Sequence, residues 1–195
     1  MISTNTLHKK LAQLLGDIVT PEGAEINAGE DGVRYTYEIR KSALEFAIGQ
    51  IIINTNDNAV LNQFLNQQII NLVSYNRIGD VHRYLFTIPQ SVLRFDRVYI
   101  ENTSTNESRI LYSGFPFHSL YGIGLGIYYV EGNNLIVLLP YIFHTNLSDI
   151  KARILYYSSD GWGEINKTLQ LPSFYEEIIL NTAYLNIINR EVVKK

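Results

Sequence analysis

The spacing of apolar residues changes twice along this 195-residue chain, and that change constrains the fold more than any single motif. In the first part apolar residues recur three and four apart, the mark of a helix with one buried face. From Val81 they alternate or gather into short runs rich in β-formers. From Leu171 the helical spacing returns. Runs of one type followed by runs of the other argue for segregated helices and strands rather than alternating βαβ units.

The pattern can be read element by element. Ser3 or Thr4 can cap a first helix whose stripe is Leu7, Leu11, Leu14, Leu15 and Ile18, ended by Pro21-Glu22-Gly23. Residues 24–32 read as a loop. A second helix starts near Tyr35–Tyr37 and buries Leu44, Ala47, Ile48, Ile51 and Ile52. The run Asn54-Thr55-Asn56-Asp57-Asn58 breaks it, because short polar side chains compete for backbone hydrogen bonds. A third helix is expected from Val60, Leu61, Phe64, Leu65, Ile69, Leu72 and Val73, closed by Gly79-Asp80. About six strands follow, at 84–88, 97–101, 109–112, 127–130, 135–139 and 151–157. The pair around Glu131-Gly132-Asn133-Asn134 is a hairpin. A last helix opens at Leu171-Pro172, with Glu176 and Glu177 at the positive end of its dipole and Arg190, Lys194 and Lys195 at the negative end. Its apolar face is Phe174, Ile178, Leu185 and Ile188, with Ala183 small enough for close packing.

The expected fold class is therefore α+β. A helical bundle of the N-terminal helices plus the C-terminal helix carries an inserted antiparallel β-domain. The helical subdomain covers 1–80 and 170–195, and the β subdomain covers 81–169.

Composition limits the chemistry. Cysteine is absent, which excludes a disulfide scaffold, a zinc finger, an iron–sulfur site and a thiol nucleophile. Charged residues make up 18% and the net charge is −3, so no basic footprint for tight nucleic-acid binding exists. The missing charge is replaced by Asn, Gln, Ser, Thr and Tyr. Such groups are easily desolvated against a partner, which suits a subunit inside an assembly, and an A/T-rich coding bias accounts for them equally well. No apolar stretch reaches the ~20 residues of a membrane-spanning helix, and no signal peptide is expected at the N-terminus.

No catalytic constellation emerges. His8, His82, His118 and His144 share no ligand spacing on one element, and His8 is expected on an exposed helix start beside Lys9 and Lys10. Gly122-Ile123-Gly124-Leu125-Gly126 lacks the spacing and context of a phosphate loop. Adjacent Glu176 and Glu177 point about 100° apart on a helix, so they cannot act as a paired acid and base. No enzymatic activity, cofactor or metal is expected. The loop 114–126 instead offers Phe115, Phe117, Leu120, Tyr121 and Ile123 either as anchors on a partner or as an ordinary turn.

The order of phrases resembles the head-to-tail adaptor, or neck-ring, proteins of tailed bacteriophages, especially the tail-tubular adaptors of podovirus-like phages, and the Asn, Ile and Tyr bias fits a crAss-like phage of an A/T-rich gut bacterium. The phrases are Arg34-Tyr35-Thr36 leading to Leu44 and Ala47, then Tyr129-Val130-Glu131-Gly132-Asn133-Asn134-Leu135 running to Leu139-Pro140. Ile154-Leu155-Tyr156-Tyr157 follows, and last comes Leu171-Pro172-Ser173-Phe174-Tyr175-Glu176-Glu177-Ile178-Ile179 with Ala183. The resemblance implies a virion structural protein that forms a homo-oligomeric ring, commonly of twelve copies, below the portal. It implies that the ring extends the DNA channel, touches genomic DNA only non-specifically, and docks other neck or tail proteins. The place implied is the virion neck, and the host cytoplasm during assembly. The candidate assembly contacts are Phe115, Phe117, Leu120, Tyr121, Ile123, Phe174, Tyr175 and Arg190. The competing expectation is a tail- or fibre-associated module that recognises a glycan or a protein through the aromatic loop 114–126.

Overall fold

A computed structural model describes residues 1–16, 35–114, 126–144 and 146–192. These residues divide into two compact units. The residues up to Phe64 together with those from Ser158 on make one unit, and Leu65–Tyr157 make the other.

In the first unit, β1 (Ile2–Ser3) pairs antiparallel with β9 (Thr168–Leu169), and α1 (Thr4–Leu15) follows directly. Leu7, His8, Leu11 and Ala12 are its buried stripe, while Leu14 stays 52% exposed. Gly16 ends the helix in the left-handed region (φ 79°) and donates its N–H to the Ala12 and Gln13 carbonyls. The Thr4 hydroxyl fixes the segment before β9. It accepts the Lys167 N–H, and the carbonyls of Glu164, Ile165 and Lys167 all lie within 2.9 Å of it.

Helix α2 (Tyr37–Asn54) is capped by the Thr36 side chain, which accepts from the Ile39 N–H. Its core face is Ala43, Leu44, Ala47, Ile48, Ile51 and Ile52. The polar run at 54–58 ends it, and Asp57 caps a single further turn, α3 (Asn58–Leu61). Helix α4 (Phe174–Val192) packs on α2 and α1 through Ile179, Leu180, Ala183 and Ile187. Each such Ile or Leu contributes about 1.5–3 kcal/mol on leaving water.

Gly163 is the tightest point of this unit. A Cβ there would lie 2.5 Å from the Lys41 carbonyl oxygen and 2.8 Å from the Glu45 side chain. The first obstacle is helix backbone, which cannot rotate aside. Gly163→Ala is therefore expected to cost about 1–3 kcal/mol, in the range of overpacked sites. Urea denaturation followed by circular dichroism measures it, and a change under 0.5 kcal/mol would refute the close approach.

The second unit is a closed seven-strand barrel in the order β2-β3-β7-β6-β5-β4-β8. The strands are β2 (Leu65–Ile78), β3 (Val81–Thr87), β4 (Arg94–Asn102), β5 (Glu107–Ser113), β6 (Ile127–Glu131), β7 (Asn134–Leu139) and β8 (Ile150–Tyr157). Neighbours run antiparallel except β5 and β6, which are parallel. Strand β2 closes the barrel. Residues 65–71 pair with β8, residues 72–78 pair with β3, and the register shifts between Leu72 and Ser74. Alternate residues fill the interior, among them Ile70, Tyr84, Phe86, Val98, Ile100, Leu135, Val137, Leu139, Ala152 and Ile154. Gly132 at φ 58° is the first central residue of the β6–β7 hairpin, where a two-residue turn needs positive φ.

The expected fold class is overturned. The protein is mostly β, with a closed barrel and four helices among the described residues, not a helical bundle with an inserted antiparallel sheet. The expected third helix is the largest single difference, since residues 65–78 are a strand. The helical reading of Leu65, Ile69, Leu72 and Val73 put all four on one buried face. In the strand, Ile70 and Leu72 face the core while Leu65, Ile69 and Val73 stand outside, 38%, 57% and 58% exposed. Apolar residues on both sides of a strand imitate a helical stripe.

Candidate functional site

Three groups of residues can carry function: an apolar surface on α2 and α4, the outer wall of β2, and a Tyr–His cluster inside one end of the barrel.

On α4 the buried face is not the one expected. Phe174, Ile178 and Leu185 are 62%, 45% and 56% exposed, while Ile179, Leu180, Ala183 and Ile187 are buried. The exposed residues are spaced four and seven apart. This is the spacing of a coiled-coil seam, and half-buried Ile188 continues it. On α2, Ile39, Phe46 and Ile53 are also exposed and lie seven apart. Seven residues at 100° each bring the chain back to within about 20°, so these three form one line.

Between the two helices runs a groove of about 460 Å³, lined by Ala47, Gln50, Ile51, Asn54, Thr55, Tyr175, Ile178 and Thr182. Ile178 belongs to both the seam and the groove wall. The groove carries no charged side chain. Phe174 stacks on Tyr175 with ring centroids 4.3 Å apart. Glu176 pairs with Lys10 of α1, and Arg190 is exposed in the last turn.

Of the expected contact residues, Phe174, Tyr175 and Arg190 are thus on α4, and Tyr175 lines the groove. Phe115, Phe117, Leu120, Tyr121 and Ile123 lie outside the described residues, as does His118. In the sequence the line on α2 is hidden by the more continuous buried face of the same helix. The outer wall of β2, with Leu65, Ile69, Val73 and Ile78 exposed, was hidden by the helical assignment of that segment.

The histidines occupy less open places than the sequence suggests. His8 is buried, not exposed. Its Nε2 is 2.6 Å from the Gly163 carbonyl, which only accepts, so Nε2 carries the proton. The ring stacks on Tyr37, and burial holds its pKa below the ordinary 6.5.

In the barrel, Tyr75 and His82 are joined at 2.7 Å between the hydroxyl and Nδ1, and Tyr84 and His144 at 2.9 Å. Tyr75 lies 4.5–6.0 Å, centroid to centroid, from each of the other three rings, and Tyr84 lies 5.7 Å from His144. Burial lowers the pKa of both histidines, and the nearby Arg77 lowers that of His82 further. Burial pushes the Tyr84 hydroxyl up to about 12. Tyr84 is fully buried, so this end of the cluster offers no proton to a solvent-borne substrate.

Among the described residues no group of three or more His, Asp or Glu side chains could hold a metal ion. No helix among them is long and apolar enough to cross a membrane. No protein-family model matches the chain, and no curated protein matches it.

Proposed function

We propose that the chain is a virion structural subunit that closes a homo-oligomeric ring at the portal–tail junction of a tailed phage. In this reading the ring extends the DNA channel and docks tail components. The observation that carries the assembly part is the uncovered seam on α4, with Phe174, Ile178 and Leu185 facing solvent and Ile178 also lining the groove. Exposed apolar residues grouped on one helix face are of the kind that marks contact sites. The portal–tail location rests on the order of the sequence phrases, which lead from Arg34-Tyr35-Thr36 to Leu171-Pro172 and Ala183.

A ring of identical subunits is built from heterologous contacts that close by rotation. Its surfaces need desolvatable neutral groups more than charge, and the low charged fraction of 18% agrees with that need. DNA passing through such a channel is touched without sequence preference, consistent with the net charge of −3.

The test is to mix the purified chain with the portal of the same particle and image the product by electron microscopy. A closed ring seated on the portal is the expected result. A chain that stays monomeric with portal present, or is missing from the mass spectrum of purified virions, would refute the reading.

A further inference from the structure

The segment after β7 is held to the barrel by three hydrogen bonds that meet at Phe143 and His144. The Phe143 N–H donates to the Tyr84 hydroxyl oxygen at 3.2 Å. The Phe143 carbonyl accepts from the Asn102 side-chain amide at 3.1 Å. The third bond joins the Tyr84 hydroxyl to His144 Nδ1. The phenyl ring of Phe143 is 4% exposed and belongs to the barrel core.

The direction of the third bond follows from satisfaction of donors. Tyr84 is fully buried, and His144 Nδ1 is the one acceptor within reach of its proton among the described residues. The Tyr84 O–H therefore donates, and His144 is neutral with its proton on Nε2. Protonating His144 puts a hydrogen on Nδ1 as well. Two donors then face each other, and the buried Tyr84 proton loses its acceptor. A buried donor without a partner is strongly disfavoured.

The surroundings add to this. From β2, Tyr75 lies edge-on to the His144 ring at 4.5 Å, and Arg77 is on the same strand near His82. From β3 come His82 and Tyr84, and the turn between the strands carries Asp80, which acts on His82. Tyr141 lies on the segment itself and faces Arg109 of β5. Among the described residues no carboxylate acts on His144 to stabilise its cation.

We propose that the Tyr84–His144 contact is an acid-sensitive latch that holds the segment 140–144 against the barrel at neutral pH and releases it when His144 is protonated. The sign follows from linkage. The folded latch keeps His144 below its unfolded value of 6.5, so the open form binds protons more readily. Closure is complete above about pH 6.5 and weakens as the pH falls through that value.

Nuclear magnetic resonance on the full chain tests this in two readings. Nitrogen shifts at pH 7.5 should show the His144 proton on Nε2. The exchange protection factor of the Phe143 amide should fall about tenfold for each unit by which closure lowers the His144 pKa, once the pH is well below the folded value. In His144→Gln, which keeps an acceptor and does not titrate, protection should stay within twofold from pH 7.5 to 5. A proton on Nδ1 at pH 7.5 overturns the latch. So does unchanged Phe143 protection while His144 titrates, or an equal loss of protection in His144→Gln.

Discussion

Phe86→Ala is expected to cost the barrel about 3–5 kcal/mol, the range found when a buried phenylalanine is truncated. Phe86 is fully buried and sits between Leu72 of β2 and Leu135 of β7 in the ladder. Removing its ring opens a cavity at the strand that joins both neighbours, and the surrounding ladders restrict collapse into it. Folded domains hold only about 5–15 kcal/mol in all, so the loss is a large part of the total. Ile69→Ala on the outer wall should change stability by less than about 0.5 kcal/mol, because that side chain is 57% exposed. Urea titrations of both variants decide between a strand and a helix at residues 65–78. A helix with Leu65, Ile69, Leu72 and Val73 on its buried face would make Ile69→Ala costly. Equal losses in the two variants would contradict the strand.

The contrast between these positions shows what the sequence could convey. Part of β4, Arg97-Val98-Tyr99-Ile100-Glu101, announces itself by alternation, and β3 by its run of β-formers. The hairpin of β6 and β7 is legible because Gly132 supplies the positive φ that its turn requires. Strand β2 is different. It is 14 residues long, pairs with two different strands, and shifts register near Val73. Its period is broken at the shift, and three of its outward residues, Leu65, Ile69 and Val73, are apolar. Nothing local in the sequence distinguishes that from a helix. Closure of the barrel is non-local, since it depends on β2 meeting both β3 and β8. The parallel β5–β6 pair is equally invisible to a residue-by-residue reading.

The candidate surface was partly legible. Phe174, Ile178, Leu185 and Ile188 are identifiable as one face of α4 from spacing alone. Which face of a helix meets its own chain is decided by the partner helix. Here Ile179, Leu180, Ala183 and Ile187 pack inward, so the seam that looks most like core is left outside. The Tyr–His cluster was not legible. Tyr75, His82, Tyr84 and His144 come from three separate segments, and only the ladder between β2 and β3 and the return of the chain after β7 bring them together.

Leu185→Glu is expected to abolish ring formation while leaving the subunit folded. Leu185 is 56% exposed, so a carboxylate there remains in water in the free subunit, and circular dichroism and the urea midpoint should match the parent. In the ring the same side chain would be desolvated beside Ile178 and Ile188. Losing the burial of one leucine removes about 1.5–3 kcal/mol per contact. At 1.4 kcal/mol per factor of ten, that weakens each contact about 10- to 100-fold before the carboxylate is counted. An unpaired charge moved out of water adds several kcal/mol more, enough to dissolve an interface of standard size. Leu185→Met conserves volume and should assemble normally, which separates loss of shape from introduction of charge. Sedimentation velocity with portal present gives the readout. Rings that persist in Leu185→Glu would move the interface off the α4 seam, and the outer wall of β2 at Ile69 and Val73 would become the surface to alter next. A closed ring contains as many contacts as subunits, so a modest loss per contact is multiplied around the circle. A single surface leucine can therefore decide between a free subunit and an assembled ring.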